Sequence, residues 1–314
     1  MAKRKRRSGA AAAPPNGGVV AAEGAAAATS RVRSGGFCAR SSLGVPFLVV
    51  SPEQLAREVP GPGPEDWREV LELSGGLVKQ WEARGAVVLA DFEGAFTGFE
   101  GEPLTAAFQR TFTLDPKSLR QLPVAGPSKD MGLFVDLRNQ ESAAIAKRIM
   151  ESESIVKVVW GADNDVVSLR YTPIARPLGI SSARVVDAQL GFSAPHRRLA
   201  MGAMLERLPA SSLKGLPGKA AIDFRGAHAF NRRAIHLPLE PQEVAYAVDD
   251  LHRLDAILRS QIPRSGSYLQ AQSQSSSVVS LILQSPASAS ADKLRAYSAR
   301  LSKRTGLERQ EIAV

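Results

Sequence analysis

The sequence predicts an α/β layer fold. Short apolar runs of strand length, such as AVVLA at 86–90 and IVKVVW at 155–160, alternate with segments of helical period. Strands that alternate with helices build a sheet covered by helical layers. Several acidic residues fall at or just beyond the ends of the apolar runs, where such folds place their ligand sites. A chain of 314 residues with 44% hydrophobic content can bury one full-sized core and still carry tails.

Residues 1–44 are rich in Ala, Gly, Ser and Arg, show no apolar periodicity and read as a disordered basic tail. KRKRR at 3–7 fits a nuclear-localisation cluster, so the nucleus is the expected location. A segment rich in Ala and Arg and nearly free of acid also fits transit into a mitochondrion or plastid.

The folded domain is expected over 45–262, opening on VPFLVV (45–50) as a strand. A helix follows in SPEQLAREV, where Ser51 can cap, Pro52 suits the first helical position and Gln54 completes a capping box. PGPGPED (60–66) reads as a loop, and Trp67 to Arg84 as a helix that Gly75 and Gly76 can interrupt. AVVLAD (86–91) has the continuous apolar character of a buried strand and ends at an acidic pair.

LTAAFQRTFTL (104–114) and GLFVDL (132–137) are the next expected strands, SAAIAKRIMES (142–152) a helix and IVKVVW (155–160) another buried strand. Asp163 or Asn164 can cap a helix holding Asp165. ARVVDAQL (183–190) reads as a strand and 195–208 as a helix. The strongest helical pattern is 240–262, where Val244, Ala247, Val248, Leu251, Leu254 and Leu258 form one apolar face. Residues 263–314 read as a Ser/Gln-rich linker and a short basic helix.

The net charge of +9 sits on the tails. Residues 1–40 carry eight basic residues against Glu23 alone, for +7, and residues 292–314 carry +3, which leaves the body near −1. Basic tails raise non-specific nucleic-acid affinity without specifying a sequence. The single cysteine, Cys38, excludes an internal disulfide and suggests a reducing compartment. No run approaches the roughly 18–20 apolar residues that cross a bilayer, so no membrane association is expected.

Three segments carry the candidate chemistry: VVLADFEG with Asp91 and Glu93, KVVWGADNDVVSL with Asp165, and EVAYAVDDLHRL with Tyr246 and Asp250. In an extended Asp91-Phe92-Glu93 both carboxylates point to one side, because side chains alternate with period two. Oxygen ligands on one face suit a hard cation such as Mg2+ or Mn2+. A phosphodiester is anionic, so a carboxylate cluster that handles nucleic acid needs divalent cations between the two. Tyr246 and Asp250 are four apart and share a helix face, which lets the carboxylate bind metal while the phenol positions a water. Asp249 is the competing acid, rotated roughly 100° away.

Each motif also has a bland reading. DFEG can be an acidic turn, Tyr246 and Asp250 a solvated helix edge, and Asp187 a turn residue rather than a site acid. Gly218-Lys219 imitates a phosphate loop, but Leu213 and Ala220 occupy positions where a glycine and a hydroxyl are required. His196, His228, His236 and His252 lack zinc spacing and read as surface or satisfied histidines.

In order and in the elements that carry them, these motifs resemble the DEDD superfamily of 3′–5′ exonucleases, ribonuclease D-like and Werner-type. The D-x-E motif is similar to Asp91-Phe92-Glu93, the K-V-x-H strand and acidic helix to KVVWGADNDVVSL, F-D-T-Q to VVDAQ, and Y-x-x-x-D to YAVDDLHRL. The likeness spans about 45–262. Ala245 stands where the histidine branch needs His, so the resemblance implies the tyrosine branch.

It also implies a ribonuclease H-like fold with a mixed five-stranded sheet flanked by helices. The implied activity is hydrolysis of 3′-terminal phosphodiesters of single-stranded nucleic acid, RNA slightly favoured, to nucleoside monophosphates. Asp91, Glu93 and Asp250 would hold one of two metal ions, Asp91 with Asp165 would serve the second, and Tyr246 would orient the attacking water. Trp160 stands in place of the motif histidine and Phe92 is bulkier than the usual middle residue, so both are expected to bear on how the terminal nucleotide is seated. A catalytically weak nucleic-acid-binding or adaptor protein on the same fold is the alternative.

Overall fold

The computed structural model describes residues 38–58, 62–95, 102–122, 126–162, 165, 169, 180, 182–192, 199–217, 239 and 241–265. The expected basic tail up to residue 37, the 263–314 segment beyond Ser265, the cap candidates Asp163 and Asn164, and the Gly218-Lys219 pair lie outside these residues.

The strands are β1 (Cys38–Arg40), β2 (Pro46–Val50), β3 (Val87–Ala95), β4 (Glu102–Thr111), β5 (Gly132–Asp136), β6 (Val156–Val159) and β7 (Val185–Asp187). The helices are α1 (Pro52–Glu58), α2 (Pro64–Ala83), α3 (Gln140–Glu151), α4 (Ala188–Phe192), α5 (Met201–Leu205) and α6 (Pro241–Ser265), with a 3-10 turn at Ala210–Leu213.

The strands form one sheet in the order β1-β2-β5-β4-β3-β6-β7. Among the described residues it has seven strands rather than the expected five. β5, β4, β3, β6 and β7 follow one another across it, and β2, the expected VPFLVV strand, continues it to β1 at the edge. β2 runs parallel to β5, and β6 and β7 continue parallel to β3, while β4 is antiparallel to both of its neighbours. The carboxyl ends of β2, β3, β5, β6 and β7 therefore lie at one edge. Among the described residues, Cys38–Arg40 lie before the expected start at 45 and pair as β1, antiparallel to β2.

Several elements differ from their local pattern. α2 starts at Pro64, with Asp66 accepting the Gly63 amide at 2.8 Å, and runs unbroken through Gly75 and Gly76. Burial of Val70, Val78 and Trp81 outweighs the weak helix propensity of two glycines, about 1 kcal/mol each. ARVVDAQL is a strand only over Val185–Asp187, since the Asp187 carboxylate accepts the Gln189 amide at 2.9 Å and a helix begins. Of the segment expected as a helix over 195–208, residues 199–208 are described, and the helix covers only Met201–Leu205. α3 is capped by Asn139, which accepts the Glu141 and Ser142 amides at 3.0 Å.

Residues paired directly across strands share a sheet face. One face carries Leu89, Asp91 and Glu93 of β3, beside Gln109, Ala107 and Thr105 of β4. Against it packs α6, whose Val244, Ala247, Val248, Leu251, Leu254 and Leu258 join Val87, Leu89, Ala107, Phe134 and Val158 in one core, as the apolar stripe predicts. The opposite face carries Val88, Ala90 and Phe92, and on that side α2 and α3 pack together and meet β2 and β5.

Candidate metal centre

The two carboxylates of β3 lie beyond its apolar half, on the face turned to α6. A register shift between Glu93 and Gly94 follows at once. Such bulges re-aim side chains beside sites. β3 holds Asp91 and Glu93 by backbone pairing on one side, and α6 supplies the third acid.

The position of α6 along the sheet is set by buried hydrogen bonds on either side of Asp250. The Thr111 and Thr113 hydroxyls both donate to Asp255 Oδ1 at 2.7 Å, and Arg259 Nε donates to Asp255 Oδ2 at 2.9 Å. At the other side Ser42 donates its amide and hydroxyl to Asp249. Leading into the helix, the Leu239 amide donates to Gln54 Oε1 at 2.9 Å, and Gln54 Nε2 donates back to the Leu239 carbonyl. Helix register decides which acid meets the sheet: Asp249 faces Ser42, and Asp250 faces β3.

The outcome is a cluster in which ligand oxygens of Asp91, Glu93 and Asp250 all lie within 4.8 Å of one another. Asp91 and Glu93 are half-buried and Asp250 is buried. Three carboxylates at that separation repel one another strongly in a partly desolvated place. An all-oxygen donor set fits a hard divalent cation and lacks the thiolate or imidazole that softer metals prefer.

Asp165 is helical and half-buried, and it is not a member of this cluster of three. Its segment is positioned by Asp187, which proves to be a buried turn-holder rather than a cluster acid. Asp187 accepts the Gly161 amide at 3.0 Å and the Ala162 amide at 2.9 Å. Gly161 takes φ +82, and a side chain there would crowd Gln189 Oε1 at 3.3 Å. So the exit from β6 is bent by a glycine and clamped by a carboxylate at Gly161 and Ala162.

Tyr246 is half-buried one helical turn before Asp250. Arg253, seven residues after Tyr246, donates from Nη1 to Asp250 Oδ1 at 2.5 Å, and its guanidinium carbon lies 6.0 Å from the Tyr246 ring centroid. Motif reading misses Arg253. Its signal is spacing: 246, 250 and 253 fall on one helix face.

Phe92 points away from the carboxylates. It is 4% exposed and packs edge-on against Phe108 at 5.9 Å, so its bulk fills the far-side core. Trp160 lies two residues beyond Val158, the partner of Leu89. It packs partly buried against the core, with its indole N–H lacking a hydrogen-bond partner among the described residues. His252 is neither exposed nor satisfied. It is buried edge-on to Phe47, neither ring nitrogen has a partner among the described residues, and burial pushes its pKa down to about 4, leaving it neutral.

No family model and no curated protein matches the chain. Among solved structures it is similar to Trypanosoma brucei RNase D in complex with GMP, with a TM-score of 0.53 and 15% identity over 85% of this chain and 75% of that one. The same trypanosomal enzyme in complex with RNA U12 gives 0.50 and 16%, covering 86% of this chain and 82% of that one. Identity this low speaks to architecture: the chain has the ribonuclease H-like fold of these ribonucleases, with Asp91, Glu93 and Asp250 gathered at the carboxyl edge of its sheet.

Proposed function

We propose that this chain is a divalent-metal-dependent 3′–5′ exonuclease of the tyrosine type. It hydrolyses 3′-terminal phosphodiesters of single-stranded nucleic acid, RNA slightly favoured over DNA, and releases nucleoside monophosphates. The observation that carries the reading is the convergence of three carboxylates to within 4.8 Å, although Asp91 and Asp250 are 159 residues apart in sequence. The fold shared with an RNase D that has been solved with GMP and with RNA supports the choice of substrate class.

Asp91, Glu93 and Asp250 would hold one Mg2+ or Mn2+, and Asp91 with Asp165 would serve a second. Bound there, the two ions supply Lewis acidity for water activation and offset charge on the leaving 3′ oxygen. The protein's own part is positioning. β3 and α6 fix the carboxylates, Asp187 sets the approach of the Asp165 segment, and Tyr246 offers a hydroxyl that can accept from and donate to a water in line with the scissile bond. Residues 1–40, at +7, would add salt-dependent affinity for long nucleic acid and carry the nuclear signal.

The deciding experiment follows 3′-labelled single-stranded RNA and DNA of one sequence, with Mg2+, Mn2+ or excess chelator. Mononucleotide release that requires metal and proceeds from the 3′ end supports the proposal. Tight binding of both substrates with no release would favour the adaptor reading.

A further inference from the structure

The carboxylate cluster poses a problem that arises before any cation binds. Oxygens of Asp91, Glu93 and Asp250 lie within 4.8 Å, and Asp250 has only 5% of its side chain exposed, so water screens it poorly. Something in the chain must keep three like charges together.

Arg253 has the required charge and place. Its side chain is 1% exposed, and burying an arginine is costly unless a partner compensates it. Its Nη1 donates to Asp250 Oδ1 at 2.5 Å, and its Nη2 donates to the Pro217 carbonyl at 3.1 Å. The planar guanidinium can make both bonds at once in a fixed geometry, which a lysine ammonium cannot do at this reach. One buried cation thus touches a cluster carboxylate, lies near the Tyr246 ring, and ties α6 to the chain just after the 3-10 turn.

We propose that Arg253 is a built-in counter-cation of the cluster. It offsets the repulsion among Asp91, Glu93 and Asp250 in the metal-free protein and holds Asp250 in one orientation. A bound divalent ion takes over part of the same electrostatic load. Only this last clause rests on the metal reading above; the metal-free role does not. Arg253 is a positioning residue, acting through Asp250.

The test compares thermal midpoints of the full chain as wild type, Arg253→Met, Asp250→Asn and the double variant, each in excess chelator and in excess Mn2+. Arg253→Met removes the charge and keeps much of the apolar volume. Its midpoint in chelator should fall by at least about 5 °C, since the buried Asp250 carboxylate loses a charge-assisted hydrogen bond and the cluster loses its nearby positive charge. Adding Asp250→Asn should recover at least about half of that loss by removing one of the three like charges that the arginine offset. The Mn2+-induced rise should be about twice as large in Arg253→Met as in wild type, because the ion then supplies what the arginine did.

A chelated Arg253→Met midpoint within about 1 °C of wild type would overturn the proposal. So would a double variant showing no recovery, which would reduce Arg253 to packing and its Pro217 bond. Should Arg253→Met fail to fold in either condition, a double variant that folds supports the proposal and one that does not refutes it. A wild type with no Mn2+-induced rise would sink the metal reading, while the chelated comparison would still decide the counter-cation role.

Discussion

Asp249 and Ser42 are joined twice across 207 residues of sequence: the Ser42 amide donates to Asp249 Oδ1 at 2.8 Å and its hydroxyl to Oδ2 at 2.5 Å. This pair ties the β1–β2 turn to α6 and turns Asp249 away from the sheet. The neighbouring acid, one residue on, is thereby presented to Asp91 and Glu93.

Asp249 should therefore matter for stability and little for turnover. Asp249→Asn can keep both contacts, since Asn accepts from the amide and pairs with the hydroxyl, and cleavage should stay within about threefold of wild type. Asp249→Ala strands the Ser42 donors and should cost about 1–3 kcal/mol. Burial raises the Asp249 carboxyl above 3.8, outweighing the Ser42 hydrogen bonds that lower it. A raised carboxyl holds its proton more tightly when folded, so its contribution is full below the ordinary carboxylate range and is lost as pH rises through the folded value. Denaturant titrations from pH 3 upward should show a shallower decline for Asp249→Asn than for wild type; a steeper decline would contradict the assignment.

Removing a cluster carboxylate should have the opposite signature. Asp91→Ala, Glu93→Ala and Asp250→Asn should each lower cleavage by about a hundredfold or more with the fold retained, because each would take a ligand from the metal. Single-turnover assays together with circular dichroism check this. A variant that keeps more than about a tenth of the wild-type rate would remove that residue from the ligand set.

Tyr246→Phe separates water positioning from packing. The ring and its proximity to Arg253 are kept, so the thermal midpoint and metal affinity should change little. Turnover should drop much more than substrate affinity, since the hydroxyl acts chiefly in the transition state. Full activity in this variant would remove the case for the tyrosine branch.

Lys157 gives a pH prediction remote from the cluster. Its ammonium is buried in β6, donating to the Ser152 carbonyl at 2.7 Å and the Ile155 carbonyl at 2.9 Å, and burial lowers its pKa from 10.5 to about 7. The folded chain thus releases this proton more readily than the unfolded chain. The resulting contribution grows as pH rises from about 7 toward 10.5 and is lost as pH falls through about 7. Wild type should gain stability relative to Lys157→Met across that interval, measured by urea midpoints at several pH values. Parallel curves would show that Lys157 stays charged in the fold.

Most elements can be read from local pattern because their causes are local. The apolar run of β3 demands burial on both faces, and the spacing of Val244, Val248, Leu251 and Leu258 demands one buried stripe on α6. The same periodicities put Asp91 with Glu93 on one side of a strand, and Tyr246 with Asp250 on one side of a helix. Local pattern misjudges the segment after β7, where a side-chain cap converts apparent strand into helix, and it misses β1, which is too short to signal without its pairing partner. Nor does it settle the fates of neighbouring or similar acids. Asp249 and Asp250 differ by one residue, and Asp187 follows an apolar run as Asp91 does. Ser42, Gly161 with Ala162, and Arg253 separate them into a clamp, a turn-holder and a cluster ligand. A carboxylate's role depends on which donors reach it in space, and here those donors come from as far as 207 residues away.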